Sequence, residues 1–107
     1  MNQENTSTIA KMKHNACKAE ALLKQLANAK RLLILCALLD GEKCVGDLAK
    51  MGDLSQSALS QHLAKMRNAR LISCEKRGQM VYYKVSSMEA HALLSILYLI
   101  YCKDKAK

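Results

Sequence analysis

At 107 residues the chain fits one domain with a modest core, one that a partner subunit would help to cover. Half of its residues are hydrophobic, which excludes a disordered polymer, yet no uncharged apolar run reaches the roughly 18 residues of a membrane-spanning helix. The net charge of +8, from 17 Lys and Arg against 9 Asp and Glu, favours a polyanionic partner: nucleic acid first, an anionic membrane surface second.

The N-terminal stretch MNQENTSTIAKMKHNA lacks the apolar centre of a secretory signal, so a cytoplasmic protein is expected. Residues 1–8 are polar and without period, and are expected to be disordered, with one domain over residues 9–104. From Ile9 to Ala27 the pattern is helical, with Ala16, Ala19, Leu22, Leu23 and Leu26 as the apolar face. Asn28 can cap a second helix. Leu32, Leu33, Leu35, Cys36 and Leu39 make that helix apolar over most of its circumference until Asp40 and Gly41 stop it, which places it at the centre of the fold. Val45 to Met51 reads as a third, short helix with Val45, Leu48 and Ala49 inward, and Gly52, Asp53 and Leu54 turn the chain after it.

The segment LSQSALSQHLAKM, Leu54 to Met66, carries the most information. Ser55 can cap its first turn, and Leu59, Leu63 and Met66 recur at helical spacing as one apolar stripe. Away from the stripe lie Gln56, Ser57, Ser60, Gln61, Ala64, Lys65 and Asn68, with no acidic residue between Leu54 and Cys74. An ordinary solvated face is rich in both Glu and Lys; short groups that donate and accept hydrogen bonds, flanked by cations, suit base edges and phosphates. Two helices across a tight turn form a helix-turn-helix.

Leu71 to Lys76 and Met80 to Val85 then alternate as strands, with Arg77 and Gly78 as the turn and Val81, Tyr83 and Val85 on one face. Lys76, Arg77 and Gln79 at the tip are placed to meet a phosphate backbone or a minor groove. The last segment, Ser87 to Lys103, has a capping Ser86 or Ser87 and a first-turn Glu89, but too many apolar residues for one contact face. Together with the first helix it argues for a homodimer held by terminal helices, with Leu22, Leu26, Leu94 and Leu97 among the contact residues, which is also what a palindromic double-stranded operator requires. The expected fold is therefore mainly α with a small β-hairpin, a winged helix-turn-helix. No linker, repeat or proline marks a second domain.

Five cysteines, Cys17, Cys36, Cys44, Cys74 and Cys102, contain no CxxC pair, which disfavours a zinc ribbon or a thioredoxin-like motif. Cys44 stands alone in KCVGDL, with Gly46 where a second thiolate would complete a soft-metal site, and His91 with Glu89 is a thin zinc set, so no metal or other cofactor is expected. No Cys, His and Asn or Asp spacing suggests a nucleophilic enzyme, and no Gly-rich phosphate loop is present. The rival readings are a metal-ion-responsive repressor of the same fold and a sequence-independent architectural DNA binder.

From about Ala19 to Cys102, LLKQLANAKRLLILCALLDGEKCVGDLAK, LSQSALSQHLAKMRNARLI and the closing VYYKV resemble, in order, an ArsR/SmtB-type winged-helix repressor. Cys36 within ILC and Cys102 within YC resemble the thiol-switch branch of that family. The resemblance implies a DNA-binding regulator in which reactive sulfur species or oxidants link Cys36 to Cys102 within a protomer and change operator affinity. Cys36 lies among leucines. Cys102 is beside Lys103 and Lys105 but at a helix C-terminus, two opposing influences on its thiolate. One departure stands out: where the family usually has Gly after the recognition helix, this chain has Arg70, which is either strained or differently placed.

Overall fold

In the computed structural model, which describes residues 3–52 and 54–102, the chain runs α1 (Gln3–Leu26), α2 (Ala29–Leu39), β1 (Lys43–Cys44), α3 (Val45–Ala49), α4 (Gln56–Asn68), β2 (Ile72–Arg77), β3 (Met80–Val85) and α5 (Met88–Tyr101). Each helix for which a side-chain cap was expected has it. The Asn28 side chain accepts from the Arg31 N–H at 3.1 Å, Ser55 Oγ from the Ala58 N–H at 3.1 Å, and Ser87 Oγ from the Ala90 N–H at 3.0 Å.

The apolar stripes of the helices converge on one core. Ile34, Leu35 and Leu38 of α2 meet Leu48 of α3, Leu59, Leu63 and Met66 of α4, Leu71 and Ile72 at the start of the hairpin, and Ala90 and Leu94 of α5. Tyr83 and Val85 pack against this core from β3. The sheet has the order β1-β3-β2 and is antiparallel throughout, pairing Ile72 with Val85 through Arg77 with Met80 on one side and Lys43 with Tyr83 on the other. Among the described residues no helix is long and apolar enough to cross a membrane.

Several expectations need correction. Helix α1 already begins at Gln3, so the stretch expected to be disordered through residue 8 is helical from there; with no Gly or Pro before Leu26, extending a nucleated helix costs little per residue. The end of the domain at residue 104 lies outside the described residues. Two-residue β1 was not anticipated, because two residues cannot display an alternation. The hairpin turn is Gly78 and Gln79, with Gly78 at φ 61°, and Arg77 belongs to strand β2 opposite Met80. Leu33 is exposed on the outer side of α2. Leu26 and Leu94, expected on the dimer face, are 5% and 0% exposed and belong to the core, whereas Leu23 and Ile96 are among the exposed apolar residues of those helices.

Helix α4 ends in a Schellman motif. The Arg70 N–H donates to the Arg67 carbonyl at 2.9 Å and the Leu71 N–H to the Met66 carbonyl at 3.0 Å, while Leu71 and Met66 are both buried. This closure needs a left-handed residue between them, and Arg70 supplies it at φ 64°. A Cβ in that region costs roughly 1–2 kcal/mol, partly offset in a glycine variant by its greater unfolded-state entropy. Arg70→Gly is therefore expected to raise the unfolding free energy by about 0.5–1 kcal/mol in urea titrations; a loss of stability would show that the Arg70 side chain contributes more than its backbone costs.

Candidate nucleic-acid interface and thiol groove

Burial of Leu59, Leu63 and Met66 turns the other side of α4 outward. Gln56, Ser57, Ser60, Gln61, Lys65 and Asn68 are all exposed there, as is Ser55 at the cap. Ser55 is engaged by its own helix, since its hydroxyl accepts the Ala58 N–H. Helix α3 packs on α4 and supplies the first half of the helix-turn-helix, with Gly52 at φ 77° in the connection; Asp53 lies outside the described residues. Between Gln56 and Asn68 there is no carboxylate, so an approaching polyanion meets only neutral hydrogen-bonding groups, Lys65 and Arg67.

On its inner side α4 carries His62, whose Nδ1 is buried without a hydrogen-bond partner among the described residues, as is Nε of Arg31. Burial, then the charges of Arg31 and Lys65, hold His62 below the usual imidazole pKa. Arg31 is anchored by donating to Gln25 Oε1 at 2.8 Å, which ties the α1–α2 junction to this end of α2.

At the wing, Lys76 and Gln79 are exposed, whereas Arg77 is already occupied. Its Nη2 lies 2.6 and 2.7 Å from the two Glu42 carboxylate oxygens and 2.9 Å from Glu75 Oε1, and its guanidinium carbon sits 4.9 Å from the centre of the Tyr82 ring. The hydrogen bond from Arg77, with its charge, holds the Glu75 carboxyl below the usual carboxylate range. Sequence reading missed this cluster: Glu42 is 35 residues from Arg77, and only the pairing of β1 with β3 brings it near.

Cys36 is half-buried in an open groove of about 710 Å3 between α2 and α5, shared with Leu39, Asp40, Lys43, His91, Ser95, Tyr98 and Leu99. Burial raises the pKa of its thiol, and negative charge on Cys102 raises it further. Cys102 is exposed at the C-cap of α5, where its N–H donates to the Tyr98 carbonyl at 2.8 Å. Lys103 and Lys105, expected to favour its thiolate, lie outside the described residues. Cys17 is exposed on α1, Cys74 is half-buried on β2, and Cys44 is buried before α3, where its N–H donates to Asp47 Oδ2 at 3.4 Å. Among the described residues no three His, Cys, Asp or Glu side chains are grouped to hold a metal ion.

Residues 28–73 match the family model described as bacterial regulatory protein, arsR family. Over 95 residues the chain is 47% identical to the transcriptional activator HlyU of Vibrio cholerae, covering 89% of this chain and 88% of that protein. It is 34% identical over 91 residues to the biofilm growth-associated repressor of Agrobacterium fabrum, covering 85% and 78%. The structure of reduced HlyU from Vibrio cholerae superposes with a TM-score of 0.82 at 48% identity, over 87% of this chain and 98% of that one.

Because the Cys36 pKa is raised, the thiolate fraction at neutral pH is smaller than that of an ordinary cysteine and grows only as pH climbs past the usual thiol range. Alkylation of Cys36 followed by peptide mass mapping should give a rate-against-pH curve displaced upward from that of a free cysteine peptide. Cys102→Ser should move the curve part of the way back, because it removes the repelling charge but not the burial. A Cys36 curve at or below the peptide's would contradict this account of the groove.

Proposed function

The chain belongs to the ArsR family of bacterial regulatory proteins and is a DNA-binding transcriptional regulator; from that premise we propose that reactive sulfur species or oxidants switch its operator affinity through Cys36 and Cys102. The relatives include one named an activator and one named a repressor, so the proposal concerns affinity for DNA rather than the sign of the output.

In the docking we propose, α4 enters the major groove of a double-stranded operator. Gln56, Ser57, Ser60 and Gln61 reach base edges, Ser55 and Gln79 flank the contact, and Lys65, Lys76 and Arg77 meet phosphates. What supports it is the exposed face of α4, free of carboxylates over its whole length. Two such helices come from a homodimer. Leu23 of α1 and Ile96 of α5 are exposed and, with Leu32, Leu93 and Leu97, line an apolar groove of about 360 Å3 that a second copy would cover.

The observation that supports the switch is the position of Cys36, in an open groove lined by α2 and by α5, the helix that Cys102 caps at its C-terminal end. Its thiolate attacks the outer sulfur of a persulfide RSSH, giving Cys–SSH and releasing RSH. Attack by the second thiol on the inner sulfur then closes a disulfide and expels hydrogen sulfide; if both cysteines are persulfidated first, the same closure leaves a three-sulfur bridge. A direct disulfide requires alpha carbons within about 7 Å, which a longer bridge relaxes. Either link ties α2 to the helix assigned to the dimer contact, and a bias of a few kcal/mol between two dimer arrangements is enough to release DNA.

Persulfide treatment is therefore expected to produce an intramolecular Cys36 to Cys102 link, visible by intact mass and peptide mapping, together with loss of operator binding. Cys36→Ser and Cys102→Ser should each hold DNA after treatment, while Cys17, Cys44 and Cys74 prove dispensable. Release of DNA by either serine variant as by the parent protein would place the switch elsewhere. Sedimentation should show a dimer at micromolar concentration with and without the link, and a monomer would remove the proposed route from thiol to DNA. In the same binding assay Gln61→Ala should relax base preference at one operator position, by about 1–3 kcal/mol of discrimination; unchanged preference would displace α4 from the major groove.

A further inference from the structure

The basic wing tip, read as a phosphate contact, is not open in the free protein. Glu75 and Arg77 lie two residues apart on β2 and so share a face of the sheet; Tyr82 is directly opposite Glu75, and Glu42 enters from the residue before β1. Three strands thus deliver two carboxylates and an aromatic ring to one guanidinium. Two carboxylates offset the one guanidinium, and with Lys84 on the same face beside Glu75 the cluster is formally neutral where the sequence alone suggested a cation.

Which nitrogen is engaged matters. A guanidinium grips a phosphate with two parallel hydrogen bonds through either of its paired edges, Nη1 with Nη2 or Nε with Nη2. Both edges contain Nη2, and Nη2 is the atom that both Glu42 oxygens and Glu75 approach. A two-toothed phosphate contact and the carboxylate contacts therefore exclude each other. The side chains of Arg77, Glu42 and Glu75 are 48%, 32% and 66% exposed, so the pairing is weak and exchangeable.

We propose that Glu42, helped by Glu75, is a competing counter-ion that holds Arg77 back from DNA and releases it only to a phosphate, setting the affinity of the wing for any duplex. This rests on the assignment of the wing to the phosphate backbone. Glu42 is the stronger competitor, because it presents both oxygens and is fixed to β1, outside the hairpin that carries Arg77. Tyr82 keeps the guanidinium at the surface while its partner changes, since stacking on the ring does not depend on which anion is at the edge.

The test uses a random-sequence DNA duplex, because a phosphate contact is independent of sequence, and measures binding across a salt series for the parent, Glu42→Gln, Arg77→Gln and the double variant. Glu42→Gln should bind roughly two- to fivefold tighter, as expected for loss of one exposed ion pair, with a salt slope steeper by up to about one unit. Glu75→Gln should give a smaller gain of the same kind, an independent route should Glu42→Gln melt at a lower temperature than the parent. In the Arg77→Gln background the gain should vanish. If Glu42→Gln binds no tighter, or if its gain survives without Arg77, the competition is overturned and Glu42 acts structurally or as a distant charge. If Arg77→Gln leaves the parent's binding unchanged, the phosphate contact of the wing fails, and the competition with it.

Discussion

Sealing Leu59, Leu63 and Met66 into the core sets the rotation of α4 about its own axis, and with it the polar face that α4 turns outward. With about 100° between successive residues, no turn of the helix can bury this stripe and also hide Ser57, Ser60 and Gln61. The stripe joins Ile34, Leu35 and Leu38 of α2 and Leu48 of α3 in one core, and α4 packs directly against α3 and β2. The Schellman closure at Arg70 then redirects the chain so that Leu71 and Ile72 enter the same core, and the hairpin starts from a fixed point.

The segment from Asp40 to Cys44 joins two chemistries that are distant in the sequence. Asp40 and Lys43 line the groove that holds Cys36, while Glu42 between them is paired with Arg77 on the wing. Extended backbone sends neighbouring side chains to opposite sides, and β1 is extended because it pairs with β3 at Tyr82 and Tyr83. The groove of Cys36 and the ion pair of Arg77 are therefore built on adjoining residues of one segment. The exposed ion pair at the wing lies outside the closely packed core, and the half-buried thiol in the groove lies at its edge.

Helix α5 leaves much of its apolar surface uncovered. It buries Ala90 and Leu94, yet Ile96, Leu99, Ile100 and Tyr101 are exposed, and Leu23 of α1 adds to the same kind of surface. Apolar area on this scale is uncommon on a protein that works alone, and the run of apolar residues from Ala92 to Ile100 already exceeds what one contact face can bury.

Much of this architecture was legible in the order of residues. Asn28, Ser55 and Ser87 declare helix starts because a capping side chain is a local device, and the stripes of α2 and α4 declare their buried faces because periodicity is local too. The polar, acid-free face of α4 was equally plain. What the sequence left undecided depends on contacts between distant residues. It overestimated Leu33 and placed Leu26 and Leu94 on an outer face, because an all-round apolar helix does not say which side meets its own core. It offered two possibilities for Arg70, and the hydrogen bonds of a finished helix end selected the left-handed one. It read Arg77 as an available cation, since nothing local links it to a carboxylate 35 residues earlier. That last assignment belongs to the tertiary structure alone: only the pairing of β1 with β3 brings Glu42 within hydrogen-bonding distance of the wing.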